Sequence, residues 1–485
     1  MTPGHDHPDI AGFEAAAKSA AEGLLMAKSA TVIAHIDADG VSAASIATSA
    51  LERAGIDSKA RFIKKLDQDE VKRINSEPTE AVWLVDLGSS FFSKLEHPVV
   101  CVTDHHIPES PRTARRPGQN DLGSFTDAGL HVNPHLFGID GSTDISGAGT
   151  TYAVAKHLTD RNIDLLPLAI VGAVGDLQDS AACRLKGLNR SLVEKGESES
   201  VLRAARDIRI FGRETRPVAR MLQYSTDPVL PGLTNSEDAC NSFLLELGID
   251  LKEGDKWRCW IDLSKEERRT VCSALGELLL DNRMGPSSIR RLIGDVYILE
   301  KEKPGTELHD AKEYSTLLNA CGRYMKAEIG LDICHGDRGD SYAAGKTLLA
   351  NHRGNLAEAI SLVRDLGVQR RKHLQWFHGR DEILDSIVGI VAGMVLGSGE
   401  VVPDVPIIAF AYSEDEKVKV SARGSRWMVD SGLDLASAIK QASEKVGGTG
   451  GGHNIAAGAT IGMGKEEEFL EAIEAIIQTQ MAPSG

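Results

Sequence analysis

Acidic and imidazole side chains recur at the ends of apolar segments in the first part of the chain. The segment HIDADG (residues 35–40) follows the apolar run ATVIA, and VDLG, TDHH and GAVGDLQD end further runs in the same way. The side chains supplied by these segments are His35, Asp37, Asp39, Asp86, Asp104, His105, His106 and Asp176. Carboxylates and imidazoles without thiolates suit a hard or borderline divalent cation such as manganese or magnesium.

The number of these groups predicts two metal ions rather than one. Crowded carboxylates and imidazoles would repel one another or shift their pKa values without a cation. Two ions about 3.5–4 Å apart are the usual arrangement for the hydrolysis of phosphoesters. Taken singly, HIDADG could equally be a strand followed by an Asp-capped helix, and DHH a capped turn. Their joint occurrence at successive strand ends favours the metal site.

The elements that must position these side chains alternate between strand and helix. Apolar runs predict strands at ATVIAHI, KARFIKK, EAVWLVDLG and PVVCVTDHH, and helical patterns fall at GVSAASIATSALERAG, SGAGTTYAVAKHLTD and LLPLAIVGAVGDLQD. This alternation predicts an α/β fold with a mostly parallel sheet covered by helices. In such sheets ligands bind at the carboxyl ends of the strands. We therefore expect the separate acidic segments to meet at one edge of the sheet.

The length of 485 residues predicts two or three domains. We expect a catalytic domain over residues 1–225, a helical insertion or connecting region over 226–330, and a smaller C-terminal α/β domain over 331–485. Helical patterns at SKEERRTVCSALGELLLDN and PSSIRRLIGDVYIL support the middle region, and RDEILDSIVGIVAGMVLG and KEEEFLEAIEAIIQTQM predict helices in the last domain.

Composition limits the class of protein. The chain is 42% hydrophobic and 26% charged, as in ordinary soluble proteins. It contains no run of apolar residues long enough to predict a membrane span, and its seven scattered cysteines fit reduced thiols in a cytoplasm. The net charge of −16 argues against broad electrostatic binding to nucleic acid but leaves room for a local basic groove.

A glycine-rich segment near the C-terminus is suited to contact with phosphates. Within VGGTGGGH, the residues Gly450, Gly451 and Gly452 let the backbone approach a ligand closely, although a flexible surface loop is the alternative. Donors from side chains are expected at His453, Arg423 and Arg426. The segment QRRKH (369–373) could line the same channel, but a solvated helix end is the favoured interpretation.

In their order along the chain, HIDADG, VDLGS, TDHH and GAVGDLQD resemble motifs I to IV of the DHH phosphoesterases. NPH followed by DISGAGTTYAVAKHL resembles the RecJ-like nucleases, and KVSARGS and VGGTGGGHNIAAGATI resemble the DHH-associated substrate-binding domain. The middle segment YSTDPVLPGLTNSEDACNSFLLELGIDL resembles the archaeal branch, which includes the GINS-associated nuclease. The resemblance spans most of the chain.

The resemblance implies metal-binding roles for the matched residues. It makes Asp86 the ligand shared by both ions, with Asp37 on the first ion and with Asp39, His105 and Asp176 on the second. These five residues, together with His106, form the catalytic set that the resemblance implies.

The resemblance also bears on the individual roles of His106, Asp104 and His35. His106 is expected to face the scissile phosphate, and Asp104 to orient His105. The role of His35 as a ligand of the first ion stays open, because bacterial RecJ proteins carry Asp at this place. Some other DHH enzymes place the histidine of motif I where this chain has Ile33.

The resemblance implies a metal-dependent exonuclease that acts on single-stranded nucleic acid passing between the two main domains. DNA, 5′-to-3′ polarity, release of mononucleotides and a role in replication or repair are expected, with single-stranded DNA or RNA, GINS or replicative helicase components as partners. The alternatives are a non-catalytic replication factor like the eukaryotic relative that accompanies the helicase, an oligonucleotide or cyclic-dinucleotide phosphodiesterase, and a pyrophosphatase of the same superfamily.

Overall fold

The computed structural model describes residues 8–109, 130–398, 401–413 and 416–481. The chain divides into two compact units, Met1–Leu349 and Ala350–Gly485. Among the described residues, no helix combines the length and the apolar content that crossing a bilayer requires.

The helices and strands of the first unit, in chain order, are α1 (Ile10–Leu24), β1 (Ser29–His35), α2 (Ala38–Arg53), β2 (Asp57–Ile63), α3 (Gln68–Asn75), β3 (Ala81–Val85), β4 (Val100–Thr103), β5 (Leu130–Val132), α4 (Gly147–Leu158), α5 (Leu166–Gly175), α6 (Gly187–Ser198), β6 (Arg203–Ile208), α7 (Val218–Gln223), α8 (Glu237–Glu246), β7 (Lys252–Glu253), β8 (Lys256–Trp257), α9 (Lys265–Asp281), α10 (Pro286–Leu292), β9 (Ile293–Ile298), α11 (Ala311–Arg323) and α12 (Ala327–Cys334). The division between the units falls within α13 (Asp340–Leu366). The second unit continues with β10 (Gln369–Arg370), β11 (Gln375–His378), α14 (Val388–Gly397), β12 (Ile407–Ser413), β13 (Lys417–Arg423), α15 (Arg426–Asp430), α16 (Leu435–Lys445), β14 (Thr449–Gly452), β15 (Ala456–Gly462) and α17 (Glu466–Gln480).

The first unit is built on a parallel sheet of strand order β2-β1-β3-β4-β5. The predicted α/β class with a mostly parallel N-terminal sheet is confirmed. Strands β1 and β3 are neighbours, although β2 lies between them in the sequence. In doubly wound sheets of this order, the chain turns in opposite directions after these two strands and leaves a crevice at their carboxyl ends. His35 ends β1 and Asp86 directly follows β3 at this crevice.

Successive residues of the central strands face two different cores, as the period of a β-strand requires. Val32 and Ala34 of β1 belong to a large core shared with α1, α2, α4 and α5. Ile33 belongs to a smaller core on the opposite face, which includes Val71 and Ile74 of α3. Burial on both faces explains why these strands are continuous apolar runs in the sequence.

A separate core lies within the segment from Ile208 to Ile293. Leu222, Leu244 and Leu275 contribute to it from α7, α8 and α9. Helices α11 and α12, which follow this segment, pack against α2 in the large core instead. The predicted domain limits at 225 and 330 stay a prediction.

Two predicted elements differ from the structure. The expected helix over PSSIRRLIGDVYIL ends at Leu292, and β9 continues the chain as a strand antiparallel to β6. The segment QRRKH is not a helix end, because α13 ends at Leu366 and Gln369–Arg370 pair with β11. The apolar run becomes a strand because β6, which is distant in the sequence, supplies its hydrogen bonds, whereas the polar run forms a hairpin with the next strand, β11.

The second unit contains a sheet of strand order β10-β11-β12-β13-β15-β14. Only β11 and β12 are parallel among its neighbouring pairs. Helices α16 and α17 cover one face, and α14 covers the other. The glycine-rich segment forms β14, an edge strand, so one side of its backbone is left without a neighbouring strand in the described sheet.

Candidate metal centre

The carboxyl ends of the parallel strands bring the predicted metal ligands, together with His106, into three adjoining clusters. In each cluster, one ligand atom from each of three side chains lies within 4.8 Å of the others. The clusters are His35–Asp37–Asp86, Asp39–His105–Asp176 and Asp86–His105–His106. Asp86 and His105 each belong to two clusters, so the three form one continuous group of donors. The structure brings these residues together, and their assignment as ligands stays a prediction.

Asp37 serves the helix and the cluster at the same time. It is the N-cap of α2, and its Oδ1 accepts a hydrogen bond of 3.0 Å from the backbone N–H of Gly40. Its Oδ2 lies 2.8 Å from Nδ1 of His35. A Cβ atom on Gly40 would lie 2.2 Å from the carbonyl oxygen of His35, so only glycine fits there. The helix-cap and metal-ligand interpretations of HIDADG are therefore compatible.

Asp86 lies at the junction of two clusters in a strained, buried position. Its backbone has φ of 59°, a left-handed conformation that costs a non-glycine residue about 1–3 kcal/mol. The side chain is only 2% exposed, and its Oδ1 receives no hydrogen bond from the described residues, although Nε2 of His105 lies 3.3 Å away. A Cβ atom on Gly147 would lie 2.4 Å from this oxygen, so the glycine makes room for it. A buried carboxylate oxygen without a donor fits a cation ligand.

Asp39 is held by the start of α4. Its two carboxylate oxygens accept hydrogen bonds from the backbone N–H groups of Gly147 and Ala148, at 2.7 and 3.0 Å. Burial and the negative charge of Asp86 raise the pKa of Asp39 well above its usual value. Burial likewise raises the pKa of Asp176. A bound divalent cation would favour the charged form of both groups, so the donor set fits a metal.

His105 presents one nitrogen to the carboxylates. Its Nδ1 donates a hydrogen bond of 2.6 Å to the carbonyl oxygen of Gly141. Nε2 then faces Asp86, Asp39 and Asp176 at 3.3, 3.7 and 3.9 Å. Because the proton is held on Nδ1, Nε2 is available as a metal ligand.

Asp104 orients the ring of His106 rather than that of His105, which differs from the expectation. Its Oδ1 accepts hydrogen bonds from the N–H groups of both histidines and from Nδ1 of His106, at 2.8, 3.1 and 2.8 Å, and its Oδ2 accepts one of 2.9 Å from the N–H of Ser89. Burial opposes the charged form of His106, but Asp104 outweighs it and raises the pKa of His106 to about 9. Asp104 therefore favours the protonated form of a ring whose other side is exposed.

The candidate phosphate-binding residues of the second unit lie at one end of its sheet. Arg423 ends β13 and is paired with Ala456 of β15, while His453 lies in the turn between β14 and β15. The N–H of His453 donates to the carbonyl oxygen of Ala456 at 2.8 Å. The guanidinium of Arg423 packs on Gly389, where a Cβ atom would lie 2.6 Å from Nη2.

Of the remaining candidates in this unit, the three glycines are fully described, whereas only the backbone of Arg426 is. Gly450, Gly451 and Gly452 form β14 rather than a flexible loop, and the latter two are exposed. Arg426 begins α15, and its side chain lies outside the described part of the chain.

Comparisons with known proteins agree with this architecture. The DHH-CID domain matches residues 210–293, and the DHHA1 domain matches residues 378–479. The chain thus contains a DHH-CID domain and a DHHA1 domain. The DHH-CID match coincides with the segment that has its own core, and the DHHA1 match covers most of the second unit.

Known proteins and structures also match this chain along most of its length. An uncharacterized protein of Methanocaldococcus jannaschii is 28% identical over 456 residues, which cover 93% of each chain. The structure of RecJ from Thermus thermophilus in complex with Mn²⁺ aligns with a TM-score of 0.56 at 18% identity, over 96% of this chain and 55% of RecJ. CDC45 from Entamoeba histolytica aligns with a TM-score of 0.63 at 13% identity, over 96% and 99% of the two chains. This chain thus spans about half the length of the Thermus RecJ, and likeness at these identities shows the fold alone.

Several residues around the candidate metal centre were not identified from the sequence. Gln178 is buried and its Nε2 donates to Asp176 Oδ2 and to the carbonyl oxygen of Gly141, both at 3.0 Å. Asn133 donates to the carbonyl oxygen of His106 at 2.9 Å. One local signal could have identified Gln178. It is the amide residue that follows a candidate ligand aspartate by two positions, as in GDLQD.

Helix α11 contributes to the centre from far along the chain. Arg323 ends this helix, and its charge interacts with that of Asp37. The neighbouring Gly322 packs directly on the loop after β1, since a Cβ atom there would lie 1.8 Å from the carbonyl oxygen of Ile36. No local pattern around Arg323 indicates this placement.

Proposed function

We propose that this DHH-family protein is a metal-dependent exonuclease that hydrolyses phosphodiester bonds of single-stranded nucleic acid. DNA as substrate, 5′-to-3′ polarity and release of mononucleotides are part of the proposal. The observation that carries it is the continuous group of carboxylate and imidazole donors, which shares Asp86 and His105 between clusters. Divalent ions bound there would act as Lewis acids and neutralise charge on the phosphate.

The residues divide into two proposed ligand sets. His35, Asp37 and Asp86 would hold one ion, and Asp86 would share a second ion with Asp39, His105 and Asp176. Oxygen and nitrogen ligands of this kind suit manganese, with magnesium as the second choice.

His106 supports the proposal from outside the ligand sets. Its ring is held by Asp104 through the hydrogen bond of 2.8 Å and is 59% exposed. A cationic imidazole that is fixed on one side and open on the other can donate a charge-assisted hydrogen bond to a phosphate oxygen. Its proposed role is to orient the scissile phosphate and stabilise the charge that develops on it.

A structural role in a replication complex is the second candidate function. The likeness to CDC45, which is covered over 99% of its length, favours it. The ligand clusters count against it as the sole function, because a purely structural role gives no reason to bury several carboxylates beside one another. Binding to GINS or to replicative helicase components belongs to this candidate.

The proposed activity is tested by a degradation assay. End-labelled single strands of DNA and RNA are incubated with the protein and manganese, and mononucleotide release from each end is followed over time. We expect progressive shortening of single strands from the 5′ end and little loss from a blunt duplex. Release of short oligonucleotides from internal positions, or no cleavage of any strand, would contradict an exonuclease.

The division of labour between the two units gives a further prediction. The double variant Arg423→Ala, His453→Ala should lose affinity for single strands, while the rate of phosphodiester cleavage itself should change less. A charge-assisted hydrogen bond to phosphate is worth about 1.5–3 kcal/mol, which corresponds to roughly a 10- to 150-fold loss of affinity. Binding should also become less sensitive to salt, because fewer phosphates are neutralised. Fluorescence anisotropy with a labelled oligonucleotide measures both effects.

The matched control is the double variant Lys440→Ala, Lys445→Ala, which removes positive charge from the exposed face of α16 in the same unit. It should bind single strands nearly as the wild type does, and neither double variant should change manganese binding. Equal losses on long strands and on a minimal phosphodiester reporter, with unchanged strand affinity, would make β14 a purely structural edge strand.

A further inference from the structure

A buried ion pair joins the loop after α5 to the start of the DHH-CID segment. Nη2 of Arg209 lies 2.5 Å from Oδ2 of Asp179 and 3.3 Å from its carbonyl oxygen. Arg209 is 5% exposed and Asp179 is 6% exposed, so neither charge is solvated by bulk water. Breaking one partner of such a pair leaves an uncompensated buried charge, which is strongly unfavourable.

On one side of this pair, the loop carries the candidate ligand Asp176. Gln178 donates to Asp176 Oδ2 and to the carbonyl oxygen of Gly141, which also accepts the Nδ1–H of His105. Leu177 has φ of 60°, a conformation that the surrounding bonds must maintain. Asp176 and His105 therefore share one short hydrogen-bonded network, and Asp179, three residues after Asp176, ties the first part of that loop to Arg209.

On the other side, Arg209 is fixed at both chain connections of the segment that matches DHH-CID, residues 210–293. Its N–H donates to the carbonyl oxygen of Leu292 at 2.9 Å, and its own carbonyl oxygen accepts from Nζ of Lys312 at 2.9 Å. Gly294 makes room for it, because a Cβ atom there would lie 2.5 Å from Cδ of Arg209.

We propose that Arg209 is a positioning residue that couples the DHH-CID segment to metal binding at the Asp39–His105–Asp176 cluster. The inference rests on the proposed metal centre. When Arg209 shifts with the segment, Asp179 must follow or lose its partner, and the loop that carries Asp176 moves with it. Coupling between sites is reciprocal, so metal binding also stabilises the attachment of the segment.

The test measures manganese binding by isothermal titration calorimetry without nucleic acid. Partners that orient metal ligands typically contribute about 10–100-fold to metal affinity, and we expect Arg209→Met to weaken binding by about 10-fold. Arg209→Lys keeps the charge beside Asp179 and should retain most of the affinity.

Arg213→Met is the matched control. Arg213 is also 5% exposed and lies four residues after Arg209. Its guanidinium, however, pairs with Asp207 and Asp310, each at 2.7 Å. Its loss breaks a buried ion pair of the same kind without touching the Asp176 loop. We expect a lower melting temperature for both variants and weaker manganese binding only for Arg209→Met.

Hydrogen exchange provides an independent reading of the same coupling. Saturating manganese should slow amide exchange within residues 210–293 in the wild type and in Arg213→Met. In Arg209→Met this protection should be lost. A purely structural contribution of Arg209 would not remove the response to manganese.

Each outcome decides the proposal. Equal loss of manganese affinity in both Met variants, or no loss in either, would overturn the coupling. If Arg209→Met does not fold, Asp179→Asn takes its place, since it removes the charge and keeps the shape. Weaker manganese binding by Asp179→Asn supports the inference, and unchanged binding overturns it. A wild-type chain that binds no manganese overturns the proposed function and this inference together, whereas failure confined to the variants overturns the inference alone.

Discussion

Asp86→Asn should abolish turnover while the chain stays folded. Among the described residues, Asp86 is the one carboxylate that belongs to both the His35–Asp37 cluster and the cluster with His105 and His106, and its buried Oδ1 receives no hydrogen bond from them. The substitution replaces a carboxylate oxygen with an amide and weakens the binding of both proposed ions. A loss of about 4 kcal/mol of transition-state stabilisation corresponds to roughly a 1,000-fold lower rate, and we expect at least this.

The fold should survive this change for a conformational reason. Asn has the same shape as Asp and is among the few residues that tolerate the left-handed backbone found at φ of 59°. Circular dichroism and the melting temperature measure folding, and single-strand degradation measures turnover. The matched control is Asp67→Asn at the N-cap of α3, which removes a carboxylate that belongs to none of the three clusters and should keep nearly full activity. Near-normal turnover of a folded Asp86→Asn protein would show that the shared ligand lies elsewhere.

Removal of divalent metal should reduce activity to background, and manganese should restore it better than calcium. The clusters supply histidine nitrogens as well as carboxylate oxygens. Calcium prefers about six to eight oxygen ligands, whereas manganese accepts imidazole readily. The measurement is the rate of mononucleotide release after treatment with chelator, followed by titration of each ion.

The same experiment can separate loss of metal from loss of fold. Asp37, Asp39 and Asp104 all accept hydrogen bonds from backbone N–H groups, so the metal-free chain should remain folded. Manganese should raise its melting temperature by mass action. Undiminished degradation in excess chelator would contradict metal-dependent catalysis, whatever the melting temperature does.

The central strands and the chemistry of the site could be predicted because both are local properties of the chain. Strands β1, β3 and β4 are buried on both faces, so each is an apolar run in the sequence. An acidic or imidazole residue lies at the end of each run or directly after it. Turn and cap residues directly follow these runs. The residue types at the strand ends therefore indicate both the edge of the sheet and an oxygen and nitrogen ligand set.

The failures of prediction have a non-local cause. The apolar run around Leu292 fits a helix or a strand, and its second half becomes β9 only because β6 pairs with it. Likewise, DHH does not indicate which histidine ring Asp104 holds. That choice follows from Gly141, whose carbonyl oxygen takes the Nδ1–H of His105 and leaves Asp104 to His106.

By itself, the sequence determines the α/β class, the donor chemistry and the family resemblance of this protein. The tertiary structure decides how the donors divide into clusters, because β3 lies between β1 and β4 in the sheet and so places Asp86 beside both His35 and His105. It also brings Arg209 to Asp179 and places the charge of Arg323 near that of Asp37, from elements that are distant in the sequence. Hydrophobic periodicity is encoded along the chain, whereas strand order and helix packing depend on burial between segments that are remote in sequence.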